Sequence, residues 1–378
     1  METRLKAARQ ALGWSQLRLI SELEALGASR RVPLPTRESL KTQLSRWENG
    51  HVTPQEPYTT LLSDIFGVTP DELGLDGGGV ADHPVPLSRE SIGGYQALLG
   101  QFVQVDNTVG PQRLFELATK QVSTLEPTLI GARGRVRQDG LELCSRFAEF
   151  AGWLGQDAGD LDGAERWTDL AMDFAEEVGD PETRAYVLMR KSNIAAERHE
   201  HGRALTLTSA SCRDIDRVSP PVRALTLRQT AISHALVRDH RRSERAAELA
   251  LEVISDEVDG GGGFDFVTPA YVLMETGTSA YFLRRYDVAA TRLATALDQW
   301  PAGFVRDRAP CLARLSMVEA TRGNVDAACA VGQDALAAYR AAGSARVRAT
   351  WVSLKQRLAP YERSAAVSEL RRDLARLK

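Results

Sequence analysis

Five times along the middle of the chain a small residue returns at a nearly fixed interval: Ala164, Ala204, Ser243, Ala289 and Ala328, spaced 40, 39, 46 and 39 residues apart. Seven residues later stand Ala171, Ser211, Ala250, Ala296 and Ala335, and twelve residues earlier stand Gly152, Ser192, Ala231, Gly277 and Ser316. All fifteen lie in segments whose apolar residues recur every three or four positions. Small side chains in a fixed register let two helices approach closely, so the pattern predicts stacked helical hairpins rather than one globular core. An alanine-rich chain scatters small residues freely, but fifteen of fifteen over five units is not scatter. The long interval contains DGGGGFD, residues 259–265, a glycine insertion between adjacent hairpins.

The first 75 residues read differently. Apolar residues recur at helical spacing in five groups: Leu5, Ala8 and Leu12; Leu17, Ile20 and Leu23; Leu40, Leu44 and Trp47; Leu61, Leu62 and Ile65; and Leu73 with Leu75. Five helices are expected. Ser15 stands where an N-cap belongs, and Thr69-Pro70-Asp71-Glu72 spells a capping box. Residues 76–88, rich in Gly and Pro and without periodicity, form a linker. Residues 89–145 read as further helices in poorer register, and 362–377, with Val367, Leu370, Leu374 and Leu377 on one face, as a capping or dimerising helix. The expected domains are therefore 1–75, a linker over 76–88, and a helical repeat domain over 89–378. The fold class is all-α.

Composition excludes several function classes. No run approaches the roughly 18 apolar residues of a membrane helix. The N-terminal METRLKAARQ lacks the apolar centre of a signal peptide, so a cytoplasmic protein with no membrane partner is expected. The cysteines Cys144, Cys212, Cys311 and Cys329 are too dispersed for a zinc site or a disulfide framework. His199 and His201, two apart on a helical pattern, point to different sides and have no third ligand nearby, so no metal is expected. The glycine run lacks the Lys-Ser/Thr of a phosphate-binding loop, and neither a nucleophile elbow nor HExxH occurs. Neither an enzyme nor a cofactor is expected. The formal net charge is −3, yet residues 1–50 hold nine Lys and Arg against five Glu. That local excess points toward a polyanion.

Motifs refine this. ARQALGWSQLRLISEL followed by LKTQLSRWENG resembles the Cro and lambda-repressor-like helix-turn-helix family, also called XRE, through Arg9, Gly13, Ser15, Gln16, Leu17, Leu44, Ser45, Arg46, Trp47, Glu48 and Gly50. FGVTPDELGL is similar to the family's closing helix. The resemblance covers the first 75 residues and implies a DNA-binding domain. A helix entering the major groove docks by an apolar face, here Leu40, Leu44 and Trp47, and turns a polar face outward, here Arg37, Lys41, Thr42, Gln43, Ser45 and Arg46. By family position Lys41, Thr42 and Arg46 read bases, Gln16 anchors backbone, and Arg9 pairs with Glu48 as a structural ion pair. The stretch between the scaffold and recognition helices, EALGASRRVPLPTRES, is longer than in compact members. A longer second helix and a Pro-punctuated loop accommodate it. Its Arg30 and Arg31 either touch phosphate or enter a minor groove, or are surface arginines of a solvated loop.

Residues 146–354 are similar to tetratricopeptide repeats, with a period near 40 residues rather than about 34. The two resemblances together imply a bacterial transcription regulator similar to quorum-sensing regulators that bind short peptides. Its expected partners are a double-stranded DNA operator, a second copy of the chain, and a signalling peptide or small-molecule effector. The alternative is an interaction scaffold without effector sensing. Family register places Trp153, Gln156, Asn193, Ile232, Thr278, Tyr281 and Met317 on the concave face, with Arg228 one turn before Ile232. Of these, Trp153, Asn193, Arg228 and Tyr281 are the expected effector contacts; the competing reading is that they are repeat core.

Overall fold

The computed structural model describes residues 3–30, 32–75, 87–109, 111–255, 264–300, 305–342 and 345–376. Among the described residues there are eighteen α-helices and no strand. Contacts divide the chain into two compact units, Met1–Arg89 with Lys120–Gly140, and Glu90–Thr119 with Leu141–Lys378. The first unit thus takes in a segment lying well beyond the expected boundary, and most of the linker expected at 76–88 lies outside the described residues.

In the first unit, α1 (Arg4–Ala11), α2 (Gln16–Ser29) and α3 (Arg37–Glu48) each begin at a hydroxyl N-cap. Thr3, Ser15 and Thr36 accept the backbone N–H groups of Lys6, Arg18 and Ser39, which have no helical partner of their own. A fourth helix, α4 (Tyr58–Phe66), ends at Gly67 with φ 65°, in the left-handed region that glycine occupies without strain. Leu5, Leu23, Leu40, Leu44 and Leu61 are fully buried where these helices meet. The fifth expected helix is a single turn. The Glu72 carboxylate accepts from the Thr69 backbone N–H at 2.8 Å and closes the capping box, but Gly74 with φ 68° stops the chain at once. The surplus before α3 is absorbed by α2 and the loop after it, which returns so closely that a Cβ on Gly27 would lie 2.6 Å from Leu34. Residues 120–140 supply the end of α6 (Pro111–Leu125), a 3-10 turn (Glu126–Ile130) and the start of α7 (Gly134–Ala158).

The second unit begins with α5 (Arg89–Val109), and the repeats then run as hairpins. These are α7 with α8 (Leu161–Val178), α9 (Pro181–Glu197) with α10 (His201–Ser211), and α11 (Pro220–Leu236) with α12 (His240–Ser255). Two more follow, α13 (Pro269–Phe282) with α14 (Tyr286–Gln299) and α15 (Val305–Arg322) with α16 (Val325–Ala342). All fifteen small residues lie on these helices, and all are buried. The pairs twelve residues apart mark the helix crossings. Ser192, Ser243 and Ser316 donate across them to the carbonyls of Ala204, Ala231 and Ala328 at 2.9, 2.7 and 2.7 Å. At Gly152 an added Cβ would lie 2.5 Å from Thr168 Oγ1 and 3.1 Å from the Ala164 carbonyl. The fold is an all-α, tetratricopeptide-like solenoid. After α17 (Ala345–Leu358), α18 (Ala365–Ala375) buries Val367, Leu370 and Leu374 against the last repeat; Leu377 lies outside the described residues.

Each hairpin turns at the same place, five residues before the small position of its second helix. There Gly159, His199, Arg238, Arg284 and Gly323 all adopt positive φ, at 87°, 61°, 63°, 61° and 83°. The left-handed conformation costs a residue with a Cβ about 1–2 kcal/mol, part of which glycine gives back as unfolded-chain entropy. Arg284→Gly is therefore expected to stabilise the repeat unit by about 0.5–1 kcal/mol, read as a higher urea midpoint at unchanged slope.

Candidate functional site

In the first unit α1, α2 and α3 are fastened through one carboxylate. Glu48, fully buried at the end of α3, accepts from Arg9 Nε through Oε1, and from Arg9 Nη2 and Gln16 Nε2 through Oε2 at 2.8 and 2.9 Å. Its backbone carbonyl accepts from Thr3 Oγ1 at 2.9 Å. Hydrogen bonding to Glu48, outweighing the effect of burial, holds the Arg9 pKa above its ordinary value. The first three helices are thereby locked by charge-assisted bonds. Gln16 is engaged in this lock rather than standing clear of the scaffold.

The faces of α3 separate by stripe. Leu40, Leu44 and Trp47 are buried; Arg37 and Lys41 are exposed, with Thr42 and Ser45 half-buried beside them. Arg37 is steadied against α2 by Ser21 Oγ at 2.6 Å and Glu24 at 3.0 Å, and Thr42 Oγ1 bonds back to the Glu38 carbonyl at 3.2 Å. Two residues expected on the outward face are turned away from solvent. Gln43, at helical spacing from Leu40 and Trp47, is half-buried with its Oε1 inaccessible. Arg46 is only 3% exposed, and its Nη1 donates to Glu126 Oε1 at 2.8 Å. The reason is the 3-10 turn, which belongs to this unit and sets its carboxylate on the last turn of α3. Arg30 lies in the loop and pairs with Asp64 at 2.6 Å; Arg31 lies outside the described residues.

In the second unit a polar seam runs along the first helices of the hairpins. The Arg190 guanidinium reaches Glu149 Oε1 at 2.5 Å, Gln156 Oε1 at 2.7 Å and Asn193 Oδ1 at 3.2 Å, and stacks over the Trp153 ring at 5.1 Å. Gln156 Nε2 donates to Asn193 Oδ1 at 2.7 Å, and Asn193 Nδ2 to Gln229 Oε1 at 3.3 Å. Arg228 donates to the same Gln229 oxygen at 2.8 Å, lies 3.7 Å from Glu275 and stacks on Tyr271; Glu275 in turn accepts from Arg314 at 2.7 Å. Burial opposes the Arg190 charge, but Glu149 and Tyr186 outweigh it and hold its pKa above the ordinary value. Burial, followed by the Glu149 charge, keeps the Tyr186 hydroxyl neutral far above pH 10, where it donates to Glu149 at 2.8 Å.

The structure thus brings Trp153, Asn193 and Arg228 into one network and leaves Tyr281 out of it. Tyr281 packs instead on Phe282 and Tyr286, with ring centroids 6.1 and 5.7 Å away. Arg228 is 3% exposed, so it belongs to the polar core of the array rather than to an open groove wall. Sequence reading missed Glu149, Arg190, Gln229, Glu275 and Arg314. Their signal is a charged or amide residue fourteen or fifteen positions before the small residue of each second helix, level with Arg228 and one turn ahead of Trp153 and Asn193. Among the described residues no group of His, Cys, Asp and Glu is arranged to hold a metal, and no helix is long and apolar enough to cross a membrane.

No protein-family model and no curated protein matches the chain. Among solved structures it is similar to a Rap protein crystallised in complex with Competence and Sporulation Factor. The two share 13% sequence identity with a TM-score of 0.46, over 76% of this chain and 97% of that chain.

Proposed function

We propose that the chain is a cytoplasmic, sequence-specific DNA-binding transcription regulator that acts as a homodimer, with the helical repeats as its sensor or interaction domain. The observation that carries this reading is the lock of Arg9 and Gln16 on Glu48, which holds α3 rigidly while Arg37, Lys41, Thr42 and Ser45 stay on its outward side. Arg37 and Lys41 supply charge for phosphates or guanine, and Thr42 and Ser45 supply hydroxyls for either base or backbone. A two-fold operator requires two such helices, hence the dimer. In the second unit, Trp153 and Asn193 are half-buried members of a hydrogen-bonded network. They are the groups an incoming peptide backbone or polar small molecule would compete for.

The test is a mobility shift with duplex DNA across a salt series. Binding should weaken linearly in log salt, with Lys41→Ala losing affinity and lowering the slope by about one ion. Binding that is absent at low salt, or indifferent to salt and to Lys41, would leave the interaction scaffold as the better reading.

A further inference from the structure

Resting on the DNA-binding reading, we infer that Glu126 determines which residues of α3 read DNA: it withholds Arg46 by occupying the guanidinium with an intramolecular carboxylate. The pair is buried on both sides, with side-chain exposures of 4% and 10%, and both residues belong to the same compact unit. Arg46 is a basic residue on the last turn of the helix whose other basic residues, Arg37 and Lys41, remain accessible. A carboxylate offers a guanidinium the same planar pair of acceptors as a phosphate or the edge of guanine, so Glu126 and DNA are competitors for one group. The competitor is tethered, and DNA can use Arg46 only after this pair opens. The recognition face therefore divides in two. Arg37, Lys41, Thr42 and Ser45 form a stripe that is always presented, and Arg46 forms a second contact held in reserve. Any event that draws the turn Glu126–Ile130 off α3 would add a base or phosphate contact without moving the stripe.

The experiment uses the full chain, a random-sequence duplex pool and the duplex most enriched from it. Glu126→Gln keeps the shape and an acceptor but removes the charge. It is expected to bind the enriched duplex about tenfold more tightly and to steepen the salt slope by about one ion, the increment of one released arginine contact. Arg46→Ala should change wild-type binding less than about twofold, yet erase the whole gain in the Glu126→Gln background. Thermal melting of each variant separates these effects from misfolding. Arg46→Met with Glu126→Leu, which replaces the pair by packed apolar groups, supplies a folded variant expected to bind like wild type. Unchanged or weaker binding by folded Glu126→Gln would overturn the inference. So would an equal loss from Arg46→Ala in both backgrounds, because Arg46 would then already be on the DNA. In either case binding that still depends on Lys41 leaves the DNA-binding reading intact, whereas absence of binding in every variant at low salt removes both.

Discussion

Replacing Glu48 with alanine is expected to remove about 3–5 kcal/mol from the stability of the first unit, the penalty for stranding one partner of a buried ion pair. The expectation follows from what Glu48 holds. Its carboxylate is the acceptor for both Arg9 and Gln16, and the Arg9 side chain is only 10% exposed, so the guanidinium left behind could neither reach water fully nor find another anion in place. A domain of this size is stable by about 5–15 kcal/mol in all, so the loss is a large fraction of it. Denaturant unfolding followed by circular dichroism should show an early transition for the first unit and an unchanged one for the repeats. DNA binding should fall with it, since the outward stripe of α3 is positioned only while α1 and α2 are fastened to its end. Arg9→Met with Glu48→Leu should recover most of the stability, because apolar replacement of both partners removes the stranded charge. A cost below about 1 kcal/mol for Glu48→Ala would show that the lock is ornamental.

Arg190→Met should have an effect of similar size in the second unit, about 3–5 kcal/mol, because it leaves the Glu149 carboxylate buried with only the Tyr186 hydroxyl as donor among the contacts described above. It also takes donors from Gln156 and Asn193 and a cation from the Trp153 face. In a solenoid each hairpin leans on its neighbours, so the damage should spread through the interface between α7 and α9 and decline with distance. Hydrogen exchange is the suitable probe. Amides of α7 to α10 should lose protection, while those of α15 and α16 keep it. Glu149→Gln in the Arg190→Met background should return a large part of the stability, a coupling that two independent sites would not show.

The architecture was legible in the sequence because its determinants are local and repeated. The small residues at the hairpin crossings carry their meaning in their spacing, and all of them are buried where that spacing puts them. The docking face of α3 was legible for the same reason, since Leu40, Leu44 and Trp47 share a helical stripe. Single-residue events were less so. Gly74 truncates what the capping box announces, and nothing in the periodicity distinguishes one turn from a helix. Arg46 was misplaced because its partner lies 80 residues away, in a segment with no repeat register of its own. The polar seam was half visible. Trp153, Asn193 and Arg228 belong to it, but the charges that organise it, Glu149, Arg190 and Glu275, sit one helical turn before the Trp153 and Asn193 register, at positions a periodic reading assigns to core. Buried ion pairs imitate hydrophobic positions in pattern and differ only in which distant charge answers them.

Under the proposed function, the stripe Arg37, Lys41, Thr42 and Ser45 reads an operator. Sequencing of the genomic DNA retained by the full chain, compared with that retained by Lys41→Ala and Thr42→Ala, tests it most directly. A two-fold symmetric site should be enriched, with each substitution relaxing preference at a particular base pair, at a cost of about 1–3 kcal/mol for a base contact, while preference elsewhere stays the same. Enrichment of no site, or of a site identical in all three proteins, would contradict it.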